Sequence, residues 1–230
     1  MHKKYPILLI VVLLLFFTPQ DLFSDEEIRY VPIGDSYTIG TGASSLNESW
    51  PMVLTAHLQA QGIPIRLIAN TAMPGYRTEE ILVRELPVFR SLLPDFSTLL
   101  IGVNDWVWGL KADDFRIRFR MILEDMLEIL PRKENLLVMT IPDFSFTPRA
   151  QEFSSGRDIA QGLEEFNTII KEEAGKRGVV VFDLYNHSKK MANDPALISK
   201  DGLHPSAKGY ALWETWIYPY VENLIKNRKE

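Results

Sequence analysis

From about residue 28 onward the chain alternates two patterns. A short block rich in Ile, Leu or Val is followed by a longer stretch whose apolar residues recur every three or four positions. The short blocks, at 29–33, 65–69, 98–101, 136–141 and 179–183, predict five buried β-strands. The longer stretches, at about 50–61, 78–92, 113–130 and 159–177, with a last one at 206–226, predict helices. In the third of these, Phe115, Phe119, Ile122, Met126 and Leu130 mark the buried face. Arg116, Arg118 and Arg120 fall mostly off that face and read as a solvated surface rather than an anion site. Strand and helix in alternation predict a three-layer α/β/α domain with a five-stranded parallel sheet. The longest irregular stretch, 142–157, is long enough to be functional rather than a mere connector.

The residues ahead of this pattern are of another kind. His2, Lys3 and Lys4 precede an apolar run at 5–17, and Asp21, Asp25, Glu26 and Glu27 follow it. A positive leader with a core of 13 residues has the layout of a secretory signal, and is short for a membrane span of about 20 residues. Export is therefore expected, to the periplasm or the medium, with 1–24 a signal peptide and 25–230 the folded domain. Leu22 and Ser24 fit the small-x-small cleavage rule only loosely. The alternative is an uncleaved anchor and membrane attachment through residues 5–17.

Composition narrows the chemistry. With 46% hydrophobic and 24% charged residues the chain is a packed domain, and 25 basic against 30 acidic residues leave a formal charge of -5. Nothing here resembles the basic footprint of a nucleic-acid binder, so no nucleic acid is expected as partner. The absence of cysteine removes disulfides, thiolate catalysis, zinc–thiolate sites and iron–sulfur clusters together.

In parallel sheets, ligands bind at the carboxyl ends of the strands, so the informative residues follow each apolar block. Four segments stand there: Gly34-Asp35-Ser36-Tyr37, the run from Asn70 to Gly75, Gly102-Val103-Asn104-Asp105, and Asp201-Gly202-Leu203-His204 before the last helix. Taken singly, each has a structural explanation. Gly-Asp-Ser is a common turn, Pro74-Gly75 suits a type II turn, Asn104-Asp105 suits a helix cap, and His204 before Pro205 suits a surface loop. Rival motifs fail on spacing. No Lys-Ser/Thr follows Gly40, as a phosphate loop requires, and Gly40-Thr41-Gly42 lacks the third glycine of a dinucleotide fingerprint. Tyr37 stands where a phosphatase-type aspartate pair needs its second acid. No His-x-x-x-His or Glu-x-x-His set offers zinc ligands, and no Gly-x-Ser-x-Gly elbow is present.

Taken in order, the four segments resemble the SGNH hydrolases, also called the GDSL esterase/lipase family, over residues 33 to 209. The resemblance implies the flavodoxin-like α/β fold of that family. It also implies Ser36 as nucleophile, His204 as base, Asp201 as the acid that orients it, and an oxyanion hole formed by Ser36, Gly75 and Asn104, with no metal or cofactor. The residue types suit these roles. Serine is a weak nucleophile at its own pKa and needs a base, which an imidazole with an unperturbed pKa of about 6.5 supplies near neutrality. An aspartate three residues before the histidine can fold back within one turn to hold its distal ring nitrogen. The Ser36 and Gly75 amides and the Asn104 side-chain amide are donors for developing negative charge, and glycine at 75 is expected for close backbone approach.

The remaining candidates are assigned by the same reasoning. Asp35 is expected to bond the backbone of the turn, and Asp105 to brace Asn104. His57, within a helix, and His187, among polar neighbours, are read as structural. Trp106 and Trp108, taken as lying on the loop after Asn104, and Phe144 and Phe146, after the fourth strand, are expected as walls of the substrate pocket. The expected activity is hydrolysis of a small-molecule, lipid or glycan ester. An acetyl-glycan esterase and a lysophospholipase are alternatives within the family. A non-catalytic acyl- or sugar-binding domain is the alternative of another class.

Overall fold

The computed structural model describes residues 27–227. The expected signal or anchor at 1–24, and membrane attachment through 5–17, lie outside them. Among the described residues, no helix is long and apolar enough to cross a membrane.

Five strands form one parallel sheet: β1 (Ile28–Gly34), β2 (Ile65–Leu67), β3 (Phe96–Leu100), β4 (Leu136–Met139) and β5 (Val180–Phe182). Their order is β2-β1-β3-β4-β5. The long helices are α2 (Trp50–Ala60), α6 (Ala112–Ile129), α7 (Ile159–Lys176) and α9 (Ala207–Lys226). The short ones are α1 (Ser36–Ile39), α3 (Thr78–Glu80), α4 (Leu86–Leu92), α5 (Val103–Val107) and α8 (Leu184–Ser188). α2 packs on α9, while α6 packs on α4 and α7. This is the three-layer arrangement read from the sequence, with one difference at 78–92: that stretch is α3 and α4 joined by a π-helical turn, Ile81–Glu85.

The pairing explains a proline in an inner strand. Pro32 pairs with Thr98 of β3, but β2 ends at Leu67, opposite Tyr30. The Tyr30 carbonyl, which points towards β2, accepts the Ile68 amide. Pro32 faces the same way two residues further on, beyond the end of the shorter strand, where its missing N–H interrupts no ladder.

The core spans both faces of the sheet. Trp50, Leu54 and Trp213 are buried on one set of helices and Phe89, Phe115, Phe119 and Phe166 on the other. Side chains of this size contribute roughly 1.5–3 kcal/mol each when fully buried. Phe115 stacks on Phe166 at 4.3 Å and on Phe119 at 5.6 Å, tying α6 to α7. The arginines off this face pair with carboxylates: Arg116 with Glu172 and Glu173, Arg118 with Glu79, and Arg120 with Glu124.

The closest packing in the sheet lies where β1 gives way to α1. A Cβ on Gly34 would collide with the Leu100 carbonyl and with Thr38. Both obstacles are fixed, one being backbone and the other a branched side chain on α1. Gly34→Ala should therefore lower stability by at least ~1–3 kcal/mol, the usual cost of overpacking, read from the denaturant midpoint. A midpoint equal to that of the native chain would show that α1 can move off the sheet.

Candidate active site

Strand order reverses between β1 and β3, since β2 lies to one side of β1 and β3 to the other. The crevice outside the carboxyl ends of such a pair is where α/β sheets bind ligands. Ser36 follows β1 there, and Asn104 follows β3.

Ser36 is the first residue of α1, and the residue before it shapes the turn. The Asp35 carboxylate accepts the Tyr37 amide at 3.0 Å, and its carbonyl accepts the amides of Thr38 and Ile39 at 3.0 Å. Asp35 thus bonds the turn's backbone, as the sequence suggests. Ser36 is left at the positive end of a helical turn, where the first amides have no intrahelical acceptor.

The β2–α3 loop supplies a second amide. The Tyr76 amide bonds the Met73 carbonyl at 3.2 Å, closing a turn with Pro74 and Gly75 at its centre. Gly75 has φ +84°, so the expected oxyanion donor is also the glycine that the turn requires. Among the described residues, its two chain neighbours aside, no atom lies within 4 Å of a Cβ built there. Its left-handed backbone calls for glycine, and the space beside it is what the close backbone approach expected from the sequence would use. The Asn104 side-chain amide donates to the Tyr76 carbonyl at 2.8 Å. One of its two N–H groups is thereby anchored and the other remains for the cavity. Asp105 does not brace Asn104 directly. Its buried carboxylate accepts the Thr78 amide at 2.9 Å and the Thr78 hydroxyl, and so fixes the loop onto which Asn104 holds.

The turn at 201–204 closes on itself. One Asp201 oxygen accepts the amides of Leu203 at 2.8 Å and His204 at 2.9 Å; the other lies 2.7 Å from His204 Nδ1. Burial works to raise the Asp201 pKa. Hydrogen bonds from Ser199, from these amides and from the imidazole outweigh it and hold the carboxyl at about 2. It is ionised at any physiological pH. The His204 carbonyl accepts the Ser199 amide at 2.8 Å, and its ring meets Tyr37 edge-on at 5.5 Å.

Ser36, Gly75, Asn104, Asp201 and His204 line one cavity of about 270 Å³. Its apolar walls are Tyr37, Val103, Val107, Phe144, Phe153 and Leu203, and Arg149 stands among them. Of the four aromatics expected as walls, Phe144 is in place and the other three are not. Residues 103–107 are helical, so Val103, Asn104 and Val107 share one face and Trp106 turns away from it. Trp106 lies instead against Gly162 of α7 with the Arg157 guanidinium 4.3 Å over its ring. Trp108 is 74% exposed. Phe146 lines a smaller void beyond Tyr37, Phe144 and Leu203. Phe153 and Arg149 escaped the sequence reading because the irregular stretch that carries them has no period to mark a face. His57 bonds Glu214 at 2.8 Å and stacks on Tyr218, and His187 bonds the Asp183 carbonyl at 2.9 Å. Neither lines this cavity.

Comparison with known proteins gives a family and a set of folds. The GDSL-like Lipase/Acylhydrolase family matches residues 33–212. A search of curated proteins returned no significant match. Among solved structures, a lipase/acylhydrolase from Enterococcus faecalis aligns with a TM-score of 0.68 at 21% identity, covering 85% of this chain and 96% of its own. The psychrotrophic esterase EstA from Pseudoalteromonas sp., inhibited by monoethylphosphonate, aligns at 0.69 and 16% identity, covering 87% and 100%. The acetylxylan esterase Axe2 from Geobacillus stearothermophilus aligns at 0.68 and 17%, covering 84% and 94%. At these identities the likeness is one of fold.

Behind Ser36 lies a group of buried acids. Burial, countered in part by hydrogen bonds, pushes Asp35 up to about 7, Glu85 up to about 8 and Asp105 up to about 6. In the unfolded chain these groups titrate near ~4. Below that pH both states hold the proton and nothing is lost. As pH rises towards 8, the unfolded state ionises while the folded state resists, so stability falls. Unfolding free energy should therefore decline between pH 5 and 8, and Glu85→Gln should make the decline shallower by up to about 1.4 kcal/mol per pH unit, the slope of one proton. Equal slopes for the native chain and the variant would mean that Glu85 carries no proton in the folded state.

Proposed function

This chain belongs to the GDSL-like lipase/acylhydrolase family, and on that premise we propose that it is an exported serine esterase hydrolysing carboxylic esters through an acyl-enzyme on Ser36. Membership places it among ester hydrolases. The observation that carries the finer reading is the Asp201–His204 pair, 2.7 Å apart, on the cavity that Ser36 also lines.

In this mechanism His204 takes the Ser36 hydroxyl proton on Nε2 as Oγ attacks the ester carbonyl. Ionised Asp201 holds Nδ1–H, which fixes the tautomer and stabilises the imidazolium. The Ser36 and Gly75 amides and the free N–H of Asn104 Nδ2 receive the oxyanion. Collapse of the tetrahedral intermediate expels the alcohol, which leaves with the proton from His204. Water then repeats the sequence on the acyl-enzyme, releasing the acid and restoring Ser36.

A cavity of about 270 Å³ falls just below the range of roughly 300–1,000 Å³ that drug-sized ligands fill. With apolar walls, it favours esters of short to medium acyl chains. Each methylene buried is worth about 0.8 kcal/mol, or roughly fourfold in kcat/KM, until the space is full. Across p-nitrophenyl esters of increasing length, kcat/KM should rise and then level off. Activity on acetyl groups alone, with acetylated xylan the better substrate, would favour an acetyl-glycan esterase, and a preference for lysophospholipid would favour a lysophospholipase.

Ser36→Ala should abolish both turnover and labelling by a fluorophosphonate while leaving the fold intact. Asn104→Ala should lower kcat by about 100- to 1000-fold, the usual effect of losing one oxyanion donor. Labelling that persists in Ser36→Ala would remove Ser36 as nucleophile, and a loss below about tenfold would take Asn104 out of the hole.

Export rests on the positive leader and apolar run at 5–17. In its native host the protein should be recovered outside the cytoplasm, either shortened near Ser24 or membrane-attached at full length; intact chain in the cytosol would refute it.

A further inference from the structure

We propose that Arg149 is a positioning residue that clamps the turn carrying Asp201 and His204. The proposal rests on the serine-esterase reading above and adds a residue to it.

The turn from Asp201 to His204 contains Gly202 at φ +72°. The Asp201 carboxylate holds the turn's forward amides, as described, but its first two carbonyls face out of it. Arg149 takes both. Its backbone amide donates to the Gly202 carbonyl at 3.0 Å, and its Nη1 donates to the Asp201 carbonyl at 3.3 Å. Its stem lies flat on Gly202, where an added Cβ would stand 3.0 Å from Arg149 Cγ and 3.2 Å from Cδ. The glycine therefore serves both the left-handed backbone and the arginine that covers it.

The guanidinium is itself aimed. Glu152, one turn further along the segment Ala150–Phe153, receives Nε at 2.9 Å and Nη2 at 2.6 Å. This leaves Nη1 directed at the turn. A planar fork holds two partners in fixed relation, which an ammonium group does not. With side chains 49% and 55% exposed, the pair contributes little to stability through its charges alone. Nor is it built as a receptor for anionic substrates, because Glu152 already occupies the fork. What the geometry does determine is where Asp201 and Gly202 lie, and through them the direction of the imidazole. Among the described residues, Arg149 is the one lysine or arginine lining the cavity with Ser36 and His204.

The test is Arg149→Met, which keeps the stem and the backbone donor but removes Nη1 and the fork. On a neutral p-nitrophenyl ester, kcat should fall about tenfold, within the range that small misplacements of reacting groups cost. KM should change by less than about twofold, because substrate binding is not what is lost. Fluorophosphonate labelling of Ser36 should slow in parallel. The far-downfield proton resonance of the Asp201–His204 hydrogen bond should broaden or shift, with the unfolding midpoint unchanged. Arg149→Lys should restore part of kcat, and Glu152→Gln, which leaves Arg149 in place, should produce a smaller loss of the same kind. Unchanged kcat in Arg149→Met, a loss confined to KM or to anionic esters, or an unaltered downfield proton would each overturn the clamp. Failure of the esterase reading would look different: the native chain itself would hydrolyse no ester and take no fluorophosphonate. The downfield proton, which needs no turnover, would then decide the clamp alone.

Discussion

The site depends on the point where the sheet changes direction. With β2 on one side of β1 and β3 on the other, the connections leaving β1 and β3 diverge, and a crevice opens between their carboxyl ends. Gly34 makes that crevice usable. Without a side chain it lets α1 start against the Leu100 carbonyl, so Ser36 emerges at the rim and not a turn further out. The two residues proposed as donors beside it follow from neighbouring connections. Gly75 belongs to the loop after β2, Asn104 to the helix after β3, and the Tyr76 carbonyl joins them.

A second constraint is electrostatic. Asp35, Glu85 and Asp105 are all nearly inaccessible to solvent. Within the described protein, Asp35 Oδ2, Thr38 Oγ1 and Glu85 Oε1 form no hydrogen bond. A buried polar atom in that condition costs about 1–3 kcal/mol, so this is an expensive place to put acids. Their useful contacts all go to backbone or hydroxyl groups that shape the site: Asp35 to the Tyr37 amide, Asp105 to Thr78, and Glu85 to the Thr71 hydroxyl. Stability is given up for the position of three loops, a common condition of functional sites. Elsewhere the chain places its acids differently. Burial would raise Glu173 too, but Lys176, Arg116 and Arg177 override it and hold that carboxyl at about 2.

The strands and long helices were legible in the sequence because their apolar periods are set by the elements themselves. Ends agree within two residues at most positions, and the departures have physical causes. The helix read at 78–92 is interrupted by a π turn that places Glu85 inward. The tryptophans after Asn104 were read as loop residues because five residues are too few to show a helical period. Once that segment is helical, Val107 faces the cavity and Trp106 packs on Gly162. Nothing in the pattern around Phe153 or Arg149 distinguished them, since irregular backbone has no periodicity from which to infer a direction.

The division between what was legible and what was not follows the range of the interactions. Ser36 is held by Asp35 next to it, Gly75 by its own turn, and His204 by an acid three residues earlier. These groups carry their geometry in a few consecutive residues, so their spacing survives as a motif. The cavity wall has no such locality: Tyr37, Val107, Phe144, Phe153 and Leu203 come from four separate connections and meet only after folding. Arg149 belongs to both kinds. It faces the cavity with the wall residues, yet its partners are the backbone of the His204 turn. Wall residues and turn residues are thus separate groups, with Arg149 touching both: it lines the cavity and bonds the backbone of the turn that carries Asp201 and His204.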